Sequence, residues 1–443
     1  MPKTSAFRVI EGSIAAPSGF RTAAVFCDIK RLGTGKGSNK GQKRDLALIV
    51  SEVPAIAAGM FTTSQVCAAP VKVSIKRVAA GCAQAVVVNS GNANACTGRQ
   101  GMKDAEEMTR ATALALGLKA EQVLVCSTGR IGVTLPMANV KRGITAAAAL
   151  LNPSFENAQQ VTEAIMTSDT RPKTVAVEFK IGGKVVRIGG TCKGAGMIQP
   201  GMSPTGTRPA SGLHATMLGF ITTDANIDRT VLKGALETAV AQSFNRVTVD
   251  GDMSTNDTVI VLANGKAGNI QVSARSTKAR NTFQTALNFV TLELAKMIVR
   301  DGEGASHFVT VRIKGAKTAA DADAAARAVA NGALVKTSWF GGDPNWGRIL
   351  GALGASRASL IEEKIDVGYS LPDAKKIIFA LKKGQPTRTS FKELCTLVAN
   401  PEFELHIFLN VGKAEAVMYT CDLTEEYVEF NKGDVSDPAS MGG

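Results

Sequence analysis

The stretch that decides how this chain is read lies in its middle: TCKGAGMI at 191–198, QPGMSPTGTRPASGL at 199–213 and HATMLGFITTD at 214–224. A Gly-rich turn and an apolar run flank residues 200–212, which hold three prolines and three glycines among thirteen residues. Proline removes a backbone donor and glycine loosens the chain, so no regular element is expected there and a flexible boundary is placed mid-chain.

Working outward, strand-like and helix-like stretches alternate. Residues 85–89 (AVVVN) form a short β-branched run ending in Ser90-Gly91-Asn92, which reads as a buried strand delivering a polar turn. Residues 102–118 read as an amphipathic helix, and 122–126 as a strand running into Ser127-Thr128-Gly129. Segments 174–179 and 184–188 flank Gly182-Gly183, a hairpin signal. Toward the C-terminus, 279–300 and 318–331 read as helices. Segments 308–313, 365–370, 405–411 and 414–421 read as strands, the last two joined across Gly412-Lys413. No internal repeat is evident, and 433–443 reads as a polar tail.

With 443 residues, 45% of them hydrophobic and 20% charged, the chain can build two or three packed units, which excludes global disorder. Glycine is abundant but not periodic, which excludes a fibre. The net charge of +13 raises nucleic-acid binding as a competing class. The densest basic cluster, 30–44, is interleaved with Gly and Ser and lacks aromatic stacking partners, so it reads as a solvated loop. Cysteines at 27, 67, 82, 96, 126, 192, 395 and 421 form no Cys-x-x-Cys pair, and the histidines at 214, 307 and 406 lie far from them, so metal binding has no support. Residues 1–18 lack the apolar core of a secretory signal, and no run approaches the roughly 18 apolar residues of a membrane span. A soluble, cytoplasmic protein with reduced thiols is expected.

Four polar, Gly-rich segments follow apolar strands: NSGNANAC at 89–96, STG at 127–129, DGDMSTND at 250–257 and GGDPNWGR at 341–348. Such strand ends can aim backbone N–H groups at a ligand or an oxyanion, although a capped turn accounts equally well for any one of them. The 33–38 segment GTGKGS lacks phosphate-loop spacing, and no Gly-x-Ser-x-Gly elbow is present. His307 and His406, beside and within strands, read as structural.

The motifs NSGNANACTG (89–98), TSDTRPK (167–173), KGAGMI (193–198), ATML (215–218), VDGDMSTNDT (249–258), RDGEGA (300–305) and FGGDPNWGRI (340–349) occur in order over nearly the whole chain. With them the sequence resembles the ornithine acetyltransferase, or glutamate N-acetyltransferase, family of the arginine pathway. Ala195 replaces a serine of the family signature. The resemblance implies an α/β, self-processing fold in which two β-sheets are sandwiched between helix layers, with a smaller C-terminal α/β domain from about residue 310. It also implies a cut between Ala215 and Thr216, giving an α chain (1–215, with the oxyanion-hole and substrate-binding parts) and a β chain (216–443) in an α2β2 heterotetramer. Thr216 would be the nucleophile, and its freed amine, with an ordinary pKa of about 8, its base.

By the same resemblance the reaction is ping-pong: Thr216 takes the acetyl group from N2-acetylornithine and passes it to glutamate, with no metal or other cofactor. Use of acetyl-CoA, as in bifunctional members, is left open. The oxyanion donors are the Thr128 hydroxyl and the Gly129 N–H, each typically worth about 3–4 kcal/mol. Substrate binding falls on Thr167, Lys193, Thr216, Glu303, Asn431 and Ser436. Lys193 suits an α-carboxylate, and Glu303 suits the side-chain ammonium of ornithine. The sequence departs from the family in the extra residues between 201 and 214 and in its ending around Val435 and Asp437-Pro438. The competing enzyme reading is an N-terminal-nucleophile aminopeptidase or amidase of the same fold. Lys193, Glu303 and the 89–96 signature favour the transferase, which binds neither nucleic acid nor membrane.

Overall fold

In the computed structural model, which describes residues 6–30, 43–207 and 217–432, nine strands hydrogen-bond into one sheet. They are β1 (Arg8–Ile10), β2 (Phe20–Val25), β3 (Leu46–Phe61), β4 (Cys82–Asn92), β5 (Val123–Arg130), β6 (Lys173–Ile181), β7 (Lys184–Lys193), β8 (Leu218–Thr223) and β9 (Thr258–Ala263). Their order is β1-β6-β7-β8-β9-β3-β4-β5, with β2 also on β3.

Strand β3 explains the architecture. Its first half pairs with β2, its second half pairs with β9, and β4 runs along its other edge. The register with β4 shifts between Val50 and Ala55, where Glu52, Val53 and Pro54 are exposed. A proline cannot donate to a ladder, so it sits at this irregularity and the sheet folds over there. Alternate residues then serve different layers. Ala47, Ile49 and Ala57 meet Val86, Val88, Leu124, Phe220 and Ile260 between the two halves of the sheet. Leu46 and Leu48 face outward with the helices Ala69–Val78, Gly98–Leu116 and Met137–Ala149. Ala58 and Met60 face the opposite outer side, with the helices Arg229–Gln242 and Thr277–Arg300. The sandwich is therefore one continuous sheet doubled on itself between two helix layers. Strands covered on both faces carry unbroken apolar runs, as in AVVV of β4 and TVIVLA of β9.

A second sheet comprises β10 (Phe308–Ala316), β11 (Asp366–Ser370), β12 (Ile378–Lys382), β13 (Gln385–Pro386), β14 (Glu402–Phe408) and β15 (Ala414–Cys421), in the order β13-β12-β11-β14-β10-β15. It has its own core, containing Trp339, Tyr369 and Phe403. Although β14 and β15 are consecutive, they do not pair. Strand β10 lies between them, parallel to β14 and antiparallel to β15. The turn joining them crosses the end of β10, with the N–H groups of Leu409, Val411 and Gly412 bound to the carbonyls of Lys314 and Gly315.

Residues 200–207 are irregular, as expected, yet anchored: Ser203 exchanges two backbone hydrogen bonds with Phe61, and the Thr63 hydroxyl donates to the Gly201 carbonyl at 2.8 Å. Most of the basic cluster 30–44, His214, the Ala215–Thr216 bond, Ser436 and the 433–443 tail lie outside the described residues. Lys30, at the edge of that cluster, departs from the solvated reading: it is buried and donates to the Arg44 carbonyl at 2.8 Å. Among the described residues, no helix is long and apolar enough to cross a membrane.

Candidate active site

Strands β4 and β5 run parallel and in register, placing Ser90 beside Thr128 and Gly91 beside Gly129. Thr128 is buried. Gly129 has φ of +130°, and a β-carbon there would lie 2.3 Å from the Gly91 carbonyl carbon, so no other residue fits. Behind this turn, the Ser127 hydroxyl donates to the Asn89 side-chain oxygen at 2.6 Å, and the Asn89 amide donates to the Asn92 carbonyl at 2.8 Å. The NSGNANAC segment is thus a rigid polar scaffold for the end of β5.

Lys193 closes β7, opposite Leu218 at the start of β8. Its side chain is 3% exposed, and its ammonium donates to the Thr167 hydroxyl at 2.7 Å, with Asp169 at 3.8 Å. Two residues implied separately for substrate binding are therefore in contact. Asp169 also accepts the N–H of Gly194 at 2.7 Å, the N–H of Thr167 at 3.0 Å and the ammonium of Lys173 at 2.7 Å. The Lys173 ammonium donates to Asp301 as well, and Asp301 binds both the N–H and the hydroxyl of Thr170. Burial works against the charge on Asp169, but the ammoniums of Lys193 and Lys173 and the Gly194 amide hold its carboxyl well below the usual carboxylate range. Burial likewise opposes the charge on Lys173, and the carboxylates of Asp169 and Asp301 more than offset it.

A carboxyl depressed in the folded state contributes stability that is complete above its ordinary value of about 4 and lost as pH falls through the folded value. Stability to urea is therefore expected to decline with acid below about pH 4. Asp169→Asn should flatten that decline, as read from urea unfolding at a series of pH values.

Glu303 follows Asp301 by two residues. Its N–H donates to the Ala195 carbonyl at 2.9 Å, and its carboxylate accepts from the Asn431 amide at 3.0 Å. Gly196 lets the Glu303 carboxyl lie against this turn: a β-carbon there would lie 2.4 Å from it, and the side chain would have to move. Asp250 holds the same turn by accepting the N–H groups of Met197 (2.6 Å) and Ile198 (2.8 Å), and the Tyr427 hydroxyl lies 3.4 Å from it. Burial pushes the Asp250 carboxyl up.

Of the expected site residues, Thr167 with Lys193 and Glu303 with Asn431 are brought into contact as pairs, Thr128 and Gly129 are neighbours at the end of β5, and Ala215, Thr216 and Ser436 lie outside the described residues. Asp169, Lys173, Asp301, Asp250 and Tyr427 were not singled out from sequence. The clustering of charges within TSDTRPK and RDGEGA was the available signal for Asp169, Lys173 and Asp301, all three of them buried. The structural reading of the histidines agrees with their contacts. His406 bonds the Ser370 hydroxyl at 2.9 Å, and Ser306 and Asp422 both approach Nδ1 of His307, so no Ser-to-His-to-Asp relay exists there.

Donors framed by glycine, and charges fixed by neighbours before any ligand arrives, are what acyl transfer requires of a protein. The class that this fold and site suit is an enzyme of acyl transfer. The profile of the ArgJ family matches residues 29–433. The chain is 47% identical over 422 residues to the arginine biosynthesis bifunctional protein ArgJ of Symbiobacterium thermophilum, covering 95% of this chain and 98% of that protein. It is 43% identical over 429 residues to a glutamate N-acetyltransferase of Methanocaldococcus jannaschii, covering 96% and 98%. A solved ArgJ chain from Bacillus halodurans is 38% identical, with 44% of this chain and 98% of that chain covered and a TM-score of 0.41. This chain belongs to the ArgJ family.

Proposed function

We propose that this chain transfers acetyl from N2-acetylornithine to glutamate in arginine biosynthesis, using Thr216 after a cut between Ala215 and Thr216. The observation that carries this reading is where the chain re-enters the sheet. Two residues after Thr216, Leu218 pairs with Lys193, while the intervening Met217 is bound through its N–H by Asp257 and through its carbonyl by the N–H of Thr258.

The steps balance as follows. The Thr216 amine takes the hydroxyl proton as Oγ attacks the acetyl carbonyl of acetylornithine, and the Thr128 hydroxyl and Gly129 N–H receive the oxyanion. Collapse breaks the C–N bond, the proton goes to the departing ornithine amine, and an acetyl ester remains on Oγ. The glutamate amine then attacks that ester and gives up its proton, which returns to Oγ as the C–O bond breaks. Lys193, held by Thr167, pairs with the substrate α-carboxylate. Glu303, held by Asn431, receives the ornithine ammonium, and Ser436 is a further substrate-binding residue of the proposal.

Strands β1–β7 precede the proposed cut and β8 and β9 follow it, interleaved within one sheet. The α chain (1–215) and β chain (216–443) would stay joined by the β7–β8 and β3–β9 ladders, as an α2β2 assembly requires.

Incubating the protein with acetylornithine and glutamate tests the reading: acetylglutamate should form faster than free acetate. The reverse result indicates the amidase. Thr128→Ala should lower kcat roughly 10²–10³-fold with little change in KM, because the lost donor acts on the developing charge.

A further inference from the structure

The 249–258 signature contains a clamp that the reaction scheme leaves unassigned. Asn256, 2% exposed, donates both hydrogens of its side-chain amide, to the Ser127 carbonyl at 2.8 Å and to the Ala93 carbonyl at 2.7 Å. The first carbonyl belongs to the peptide immediately before Thr128. The second lies in the NSGNANAC scaffold against which Gly129 packs. The Thr255 hydroxyl donates to the Asn256 side-chain oxygen, so the amide can present only its NH2 to the two carbonyls. Asp257 accepts the Met217 N–H, and the Thr258 N–H donates to the Met217 carbonyl at 3.0 Å. Three consecutive residues thus grip the peptide before Thr128 and the residue after Thr216.

We propose that Asn256 is a positioning residue for acyl transfer, setting the Thr128–Gly129 donors in the geometry that receives the oxyanion. This rests on the reading above, in which those donors receive the oxyanion. A neutral amide is required because an ionised aspartate would offer only acceptors to two carbonyls. Both half-reactions pass through a tetrahedral oxyanion in the same place, so a fault in donor placement slows both alike, whereas a fault in substrate binding falls on one substrate.

The test compares Asn256→Ala and Asn256→Asp in the full chain, with rates normalised to the Thr216 N-termini counted by sequencing. The aspartate variant keeps the side-chain volume and carries the test should the alanine variant fail to fold. The expected result is a kcat lowered roughly hundredfold, the scale of a 1 Å misplacement of reacting atoms. KM for both substrates should stay within about threefold. Acetylation of Thr216 by acetylornithine and its deacetylation by glutamate, followed separately by mass spectrometry, should slow by the same factor. An unchanged kcat, a rise in KM for one substrate alone, or slowing of one half-reaction alone overturns the proposal. Thr128→Ala, run in parallel, separates the two ideas. If Thr128→Ala is slow while the Asn256 variants are normal, only the role of Asn256 falls, and if Thr128→Ala keeps the full rate, the oxyanion reading falls with it.

Discussion

Replacing Thr216 by alanine is expected to leave the chain in one piece and to lower acetyl transfer on the order of 10⁵-fold or more, the scale seen when a nucleophile that works as a unit with its base is removed. On the proposed scheme one hydroxyl serves both events: it would attack the Ala215 carbonyl, shifting the acyl group from nitrogen to oxygen as an ester that water then hydrolyses, and the freed amine would become its base for attack on the acetyl group. Thr216→Ser keeps the hydroxyl and should still split and turn over. A denaturing gel with N-terminal sequencing, together with an acetylglutamate assay, reads both outcomes. An alanine variant that still gives two bands and full turnover eliminates Thr216 as nucleophile.

The second large effect is expected on stability. Lys173 is 1% exposed and is the cation shared by Asp169 and Asp301, both nearly buried. Lys173→Met removes that cation while keeping an apolar stem of similar length, leaving two carboxylates facing each other with too little compensation. Breaking a buried ion pair from one side typically costs about 3–5 kcal/mol. Urea unfolding at neutral pH should show a loss of that order, and a loss below about 1 kcal/mol, as for an exposed pair, contradicts the network. The turn that carries Gly194 depends on Asp169, so the variant should also bind acetylornithine more weakly. By contrast, the exposed Arg110–Glu106 pair should be nearly silent.

The local elements legible in the sequence were those with strong period or punctuation: the valine run of β4, the strand into Ser127-Thr128-Gly129, the Gly182-Gly183 hairpin and the long helix ending at Arg300. Strand β3 was not legible. Its sixteen residues include Glu52, Val53 and Pro54, which break the pattern locally because the strand bends there and changes layers. The placement of β10 between β14 and β15 was equally hidden, since a short glycine-containing link looks the same whether its strands pair or straddle a third. For the site, residue types were recognisable from their motifs, but Asn256 and Lys173 stood in quoted motifs without a role. Asn256 bonds Ser127, 129 residues away, and Lys173, beside its near partner Asp169, also bonds Asp301, 128 residues away.

The sequence by itself determined the chemical repertoire: which hydroxyls, amides and charges stand at strand ends, and that glycine follows Thr128. These are short-range properties, expressed by neighbours along the chain. Tertiary structure alone decided which carboxylate neutralises which ammonium, and that one bent strand doubles a single sheet so that β5 ends and β8 begins near the same clamp. The reason is energetic: burying a charge or a carbonyl is tolerable only beside a matching partner, and the choice of partner is made by packing across the folded sheet rather than by order along the chain.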